Sequence, residues 1–465
     1  MMVERMRELM PKTDADLGLA TEVVQALLAA RKSGIPAELL AQVRLHIADA
    51  IGIATAARRT DMAARVMRAQ RDAAGDGACK LIGGGTAAPM AAAFVNSALI
   101  HILDYDDIHD AGRLHPGTVV LPAVLAAADI AGATDRVIED AVALSAELMC
   151  KLGVACAPRG DGPGSEWFLT QVFGYAAAAV GAGLALGLNE QQLISAIGLS
   201  YMQVAGGKEA GFGTGSNARS IYPAFAAQGG LQAALMARAG VVGPASALDG
   251  AAGLFRIYFG AQLTRARRRL LTDFSRWQYR DVQTKPWPSC RLSHPYIAVA
   301  LDARKTCLEH PDARIRVAVN ASAARLCRPI AERRRPLTLQ DAKYSIPFMT
   351  AFALVRGDPG LTRLDDLALR DTAVLDMAMR VEIDETLADK PGHPMAVLTL
   401  EQGRRKLLTS RFRPTVLTMD AGQTQAKFED CLAYAGVGGS AKRVWKHLMQ
   451  GKVRLALRQI TVGDD

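Results

Sequence analysis

The stretch "LDYDDIHDAGRLHPG", Leu103 to Gly117, holds four aspartates, two histidines and an arginine between two apolar runs. Carboxylates beside imidazoles are the groups that move protons near neutral pH. The helical pattern before it predicts a helix ending near Asp107, with Asp104 and Asp107 three apart on one face of its last turn. Acidic groups at a helix C-terminus oppose the dipole, so stability does not call for them there. His115 stands just before a second predicted helix, whose first N–H groups could receive an anion. A calcium loop counted from Asp104 would need an acidic or amide fifth position and Glu at the twelfth, and finds Ile108 and His115. HExxH spacing is absent. An acid–base site, a metal site and a solvated loop remain as readings, with the first preferred.

Two further clusters carry reactive side chains. "TKPWPSCRLSHP" (Thr284–Pro295) interleaves Lys285, Cys290, Arg291 and His294 with three prolines that stiffen the loop. A lysine there could hold a carboxylate or act as an acid; the plain alternative is a linker. No cysteine-protease signature surrounds Cys290. "GGKEAGFGTGSNARSIYP" (Gly206–Pro223) places Gly211, Gly213 and Gly215 after a helical run, which argues against a dinucleotide loop. A loop carrying Lys208 and Arg219 to an anionic ligand is the simpler reading.

These clusters must be positioned by the rest of the 465 residues, a length that suggests two domains. Half the chain is hydrophobic, 22% is charged and only 5% is aromatic, which excludes a disordered chain and, with abundant alanine, favours helices. From Asp16 to Gly253 one helical pattern follows another. After Leu270 the texture changes: "RIRVAVN", "LDMAMRVEID" and "MAVLTLEQG" alternate as strands, with a helix predicted over "LQDAKYSIPFMTAFALVRG". The tail "AKFEDCLAYAGVGGSAKRVWKHLMQ" is helical again. The expected fold is mainly α: an all-helical domain from residues 1–268 and 401–465, with a smaller α+β domain, 269–400, inserted in it and the Arg-rich segment Thr264–Leu270 as the crossing point.

The net charge of +9 sits largely in "TRARRRL" and "AERRRP", and neither tract carries interleaved aromatics to stack bases. An anionic small substrate uses that sign better than nucleic acid does. Seven irregularly spaced cysteines suggest a reducing, cytoplasmic compartment, and the charged N-terminus does not read as a secretory signal. "FLTQVFGYAAAAVGAGLALGL" (Phe168–Leu188) is uncharged and long enough to span a membrane, but its Ala/Gly content fits a central helix of a soluble bundle better.

The three clusters, in this order, resemble the MmgE/PrpD family, which includes 2-methylcitrate dehydratase, cis-aconitate decarboxylase and iminodisuccinate epimerase. The resemblance rests on "AAAFVNSALIHILDYDD" with "HPGTVVLPAVLAAAD", on "AAQGGLQAALMARAGVVGPASALDG", and on "KPWPSCRLSHPYI" and "DAKYSIPFMTAFAL". It implies a helical domain plus a smaller α+β domain with the site between them, a homodimer, and no metal or organic cofactor. It assigns catalytic positions to Asp104, His115 and Lys285. Arg219 stands where members usually carry Lys. Ile108 replaces a frequent Thr, Phe168 a frequent His, and Cys290 a His of some members. With His109 and Lys208, these are the expected substrate contacts. Apolar surface at Ile108 and Phe168 implies a substrate less polar, or with fewer carboxylates, than methylcitrate or cis-aconitate. The resemblance implies a cofactor-independent lyase of a small di- or tricarboxylic acid. The alternatives are an epimerase or isomerase using the same proton abstraction, and a degenerate binding protein on the same fold.

Overall fold

The computed structural model describes residues 18–156, 166–212, 215–388 and 395–463. The charged N-terminal stretch and Gly213 lie outside the described residues. Two hydrophobic cores are present. The first gathers helices Leu19–Ser33, Ala37–Ala57, Asp61–Ala74, Pro89–His101, Pro116–Ala131, Asp135–Cys156, Leu169–Ala185, Glu190–Tyr201 and Tyr222–Arg238. The C-terminal helices Ala421–Tyr434 and Ala441–Met449 join it through Phe428, Leu432, Val444 and Leu448.

Small side chains set the packing of this core. All 17 residues of Leu169–Ala185 are buried, so the uncharged run is a central helix, apolar all round because it is surrounded by protein. Its neighbour Tyr222–Arg238 comes so close that a Cβ on Gly230 would stand 2.4 Å from the Ala178 Cβ. Helix Ala37–Ala57 also has the length and hydropathy to cross a membrane, yet 78% of its apolar window is buried. Part of that burial is against Phe428, which a Cβ on Gly52 would meet at 2.9 Å.

Short strands brace the loops: β1 (Cys79–Lys80) pairs β2 (Thr86–Ala87), and β3 (Ile108–His109) pairs β4 (Val282–Gln283). The second core lies on a sheet of β5 (Arg314–Val319), β6 (Val381–Glu385), β7 (Val397–Gln402) and β8 (Arg405–Arg411), in the order β6-β5-β7-β8. β5 and β6 run parallel; the other pairs are antiparallel. Ile315, Val317 and Val319 alternate inward with Leu398 and Leu400, and helices His294–Glu309 and Ile346–Arg356 contribute their apolar side chains to the same core.

Four expectations shift. "LDMAMR" belongs to helix Thr372–Arg380, because Asp371 caps the N–H groups of Ala373 and Val374 and Val374 and Ala378 share a buried face; the strand starts only at Val381. The helix over "LQDAKYSIPF" is two, Leu339–Lys343 and Ile346–Arg356, divided where Ser345 caps the second and Pro347 enters its first turn. The sheet runs past position 400, since β8 returns from a turn at Gly403 (φ +60°). The first core runs past position 268: Leu271, Trp277, Tyr279 and Val282 pack in it. The buried Glu147 carboxylate fastens that segment, accepting the N–H groups of Gln278 (3.0 Å) and Tyr279 (2.7 Å). The chain therefore changes cores between Val282 and Trp287, around Lys285, and not at the arginine tract. That tract is helix Arg265–Thr272, whose Arg268 pairs with Glu22 and Asp249, each at 2.8 Å.

Gly230→Ala should force the two central helices apart and cost about 1–3 kcal/mol. Gly439→Ala, where a Cβ meets nothing within 4 Å, should leave the midpoint of thermal unfolding unchanged. Equal midpoints for the two variants would refute this account of the helix contact.

Candidate functional site

Helix Pro89–His101 ends at His101, six residues short of the expected end. Three residues on, Asp104 adopts φ +53°, a left-handed conformation that Asp tolerates better than most residues, and its N–H donates to the His101 carbonyl. The aspartates therefore do not share a helical face. Asp104 Oδ1 accepts from Lys285 Nζ at 2.6 Å. Asp106 Oδ2 lies 2.8 Å from His101 Nδ1 and 3.5 Å from His115 Nδ1, and its Oδ1 is 3.7 Å from Lys285 Nζ. Asp107 accepts the Gly117 N–H at 3.0 Å at the start of helix Pro116–Ala131. That helix end, expected to receive a ligand anion, is taken by the protein's own carboxyl group. Asp110 pairs with Arg291 through two hydrogen bonds, of 2.9 and 2.6 Å.

The two histidines of the motif have different tasks. His109 accepts the Gly112 N–H at Nδ1 (2.9 Å) and donates from Nε2 to the Gln278 carbonyl (3.1 Å). Both nitrogens are thus spent on backbone, joining the loop to the segment that enters the second core. His115 is held by its N–H to Thr170 Oγ1 (3.1 Å) and by Nδ1 to the Asp107 carbonyl (2.6 Å). Donation from Nδ1 fixes the neutral tautomer and leaves a lone pair on Nε2. Burial pushes its pKa down to about 4 against the opposing pull of Asp106, so the ring is a free base at neutral pH.

The surrounding charges stay separated. Burial would raise the Asp104 pKa, but Lys285 and His101 outweigh it, with hydrogen bonds from Lys285 and Tyr344 adding to the fall. Asp106 is likewise lowered, its burial outweighed by His101, His115 and Lys285. Burial favours loss of the Lys285 proton, yet Asp104 and Asp106 hold it on. Asp107 moves the other way, raised by burial and by its neighbour Asp106.

The remaining walls come from three more segments. Phe168, just before the central helix, stacks on Tyr222 with centroids 4.1 Å apart, and Tyr222 meets the His101 ring edge-on at 5.1 Å. Arg219 lies over the Tyr344 ring, 3.7 Å from its centroid, and donates from Nη2 to the Gly211 carbonyl. Its buried Nε has no hydrogen-bond partner among the described residues. A Cβ on Gly211 would meet Lys208, Arg219 and Phe168 within 3.2 Å, so these three side chains converge there. Burial lowers the pKa of Lys208 to about 8. The backbone N–H of Cys290 donates to the Lys343 carbonyl (3.1 Å), and burial raises its thiol pKa. Ile108 is buried in β3, opposite Gln283.

Asp104, Asp106, His115 and Lys285 thus form one connected cluster, and Arg219 joins it through Tyr344. His101, Asp106, Tyr222, Lys343 and Tyr344 belong to the same neighbourhood and escaped the sequence reading. His101 lies inside an apolar helical run, and the break that brings Lys343 and Tyr344 to the site is signalled only by Ser345 and Pro347. Among the described residues, no three His, Cys, Asp or Glu side chains are grouped to hold a metal ion.

Residues 22–266 match the MmgE/PrpD N-terminal domain and residues 287–445 the MmgE/PrpD C-terminal domain. The gap between the matches falls where the chain changes cores. The chain is 26% identical over 295 residues to Cis-aconitate decarboxylase of Aspergillus terreus, a match covering 61% of this chain and 59% of that protein. It is 28% identical over 391 residues to a Cis-aconitate decarboxylase-like protein of Aspergillus oryzae, covering 78% and 79%. The chain thus spans about three fifths of the length of the first relative.

The His115 ring should stay neutral between pH 7 and 5 and take up its proton only near pH 4. Side-chain nitrogen NMR of labelled histidine checks this: a neutral ring protonated at Nδ1 is expected at pH 6, and titration at the ordinary value of about 6.5 would overturn it.

Proposed function

Since the chain belongs to the MmgE/PrpD family, we propose that it is an enzyme, a lyase of the dehydratase or decarboxylase type acting on a small carboxylic acid. One observation carries the reading: a neutral imidazole with a free Nε2, His115, set in the same cluster as a buried carboxylate–ammonium group and an unsaturated guanidinium. A base of this kind removes a proton from carbon only if the resulting charge is stabilised. Arg219 would bind a substrate carboxylate through its uncommitted N–H groups. Lys285, kept protonated by Asp104 and Asp106, would stabilise the enolate that forms as His115 takes the α-proton. In a dehydratase the electron pair then expels hydroxide from the β-carbon, which leaves as water with a proton from the enzyme. In a decarboxylase carbon dioxide departs first, and the carbon it leaves takes a proton.

The cis-aconitate decarboxylases of Aspergillus support this class and suggest an unsaturated polycarboxylate as the nearest chemistry. The walls argue for a less polar substrate. The stacked Phe168 and Tyr222 rings and the buried Ile108 offer apolar contact, and Lys285 is already balanced by two carboxylates. A dicarboxylate with an apolar substituent fits better than a tricarboxylate.

The test is an NMR screen in heavy water of di- and tricarboxylates and their hydroxy derivatives. Loss of water or carbon dioxide from one of them is expected. Deuterium exchange at the α-carbon without elimination would make the enzyme an isomerase instead, and binding without any reaction would leave a degenerate binding protein. His115→Ala should lower kcat by about 10²–10⁴-fold with an unchanged melting temperature; full activity in that variant would refute the assignment.

A further inference from the structure

Three consecutive backbone carbonyls at the left-handed turn each receive an ammonium group. Leu103 O accepts from Lys343 Nζ at 2.9 Å, Asp104 O from Lys285 at 3.0 Å and Tyr105 O from Lys427 at 2.8 Å. All three lysines are buried, and each arrives from a different part of the chain. Lys343 ends helix Leu339–Lys343, Lys285 lies where the cores meet, and Lys427 is in helix Ala421–Tyr434. Two of them are neutralised locally: Lys285 by Asp104 and Asp106, and Lys427 by Asp49 at 2.8 Å. Lys343 has no carboxylate within 4 Å among the described residues. A buried ammonium without an ion pair costs stability, and an apolar side chain of the same volume would not. Its presence therefore calls for a role other than stability.

We propose that Lys343 is a positioning residue for the reaction: by holding the Leu103 carbonyl from the second core, it fixes the left-handed Asp104 turn and with it the carboxylates that face Lys285, His101 and His115. The proposal rests on the reading of this cluster as an active site. Asp104 needs that turn to present Oδ1 to Lys285, and Asp106 follows two residues later with its contacts to His101 and His115. The charged groups that act on Lys343 are Asp104 on the loop and Lys285 on the connecting segment. Burial dominates and lowers its pKa to about 8; Asp104 opposes that loss and Lys285 adds to it. The charged form that grips the carbonyl is thus lost as pH rises through about 8.

The full chain with Lys343→Met or Lys343→Arg tests this. Lys343→Met should lower kcat at least tenfold with KM within about threefold, whereas Lys343→Arg, which keeps its charge, should recover most of kcat and stay active above pH 8, where the natural enzyme declines. A folded Lys343→Met with kcat and alkaline limb like those of the natural enzyme would overturn the proposal. If Lys343→Met does not fold, an alkaline limb unmoved in Lys343→Arg overturns it equally. A second readout needs no substrate. The largest charges acting on His115 are Asp106, Lys285, His101 and Asp104, so removal of Lys343 should shift the His115 titration mainly through movement of the turn that carries these aspartates. An unchanged titration in folded Lys343→Met contradicts positioning. A shifted titration in a protein that turns over none of the screened acids upholds positioning and defeats the lyase reading.

Discussion

The structure turns on one buried cation. Lys285 is fully enclosed at the point where the chain leaves one core for the other, and burying an unpaired ammonium is among the most costly arrangements a protein can adopt. Asp104 and Asp106 supply its balance, but two carboxylates for one cation leave negative charge over. His101 and Tyr344 take up part of it, and Tyr344 in turn supports Arg219. Withdrawing Lys285 would leave both carboxylates without their shared ammonium. Both cores contribute to this closed set, so the electrostatic balance also fixes how the cores meet.

The same low-polarity setting divides acid from base. Burial acts on every group in the cluster, but neighbours decide the outcome. Carboxylates with cationic neighbours remain charged, Asp107 beside Asp106 is driven towards its neutral form, and His115 loses its proton. A hydrogen bond from Nδ1 to a carbonyl makes the remaining nitrogen of His115 the basic one. One imidazole thus stays neutral beside charged carboxylates, an arrangement that water would not maintain.

Much of this layout can be read from residue patterns. The helical texture before Gly253, β5 and β7, the return of the C-terminal helices and the convergence of Arg219 with Lys208 follow from periodicity and charge. The termini of elements are less legible. Alternation over "LDMAMRVEID" suits a helix face or a strand, and the Asp371 cap decides between them. The helix before the acidic motif ends early because backbone at Asp104 turns left-handed, which no periodicity announces. Lys343 and Tyr344 are hidden from the pattern for a related reason: they occupy a break inside what reads as one helix. His109 reads as a polar group in a loop, yet both of its nitrogens are committed to backbone, which residue type alone does not reveal.

The Lys427 contact to the Tyr105 carbonyl joins residues 322 positions apart. During synthesis Asp49, Asp104 and Asp106 emerge long before their lysine partners, and carboxylates awaiting a counterion are better left in water than buried. The turn at Asp104 can therefore hold its full set of ammonium contacts only in a chain that reaches Lys427. A chain that ends before Lys427 keeps the helices of the first core up to Tyr222–Arg238 in its sequence but lacks one of the three ammonium groups that hold this turn.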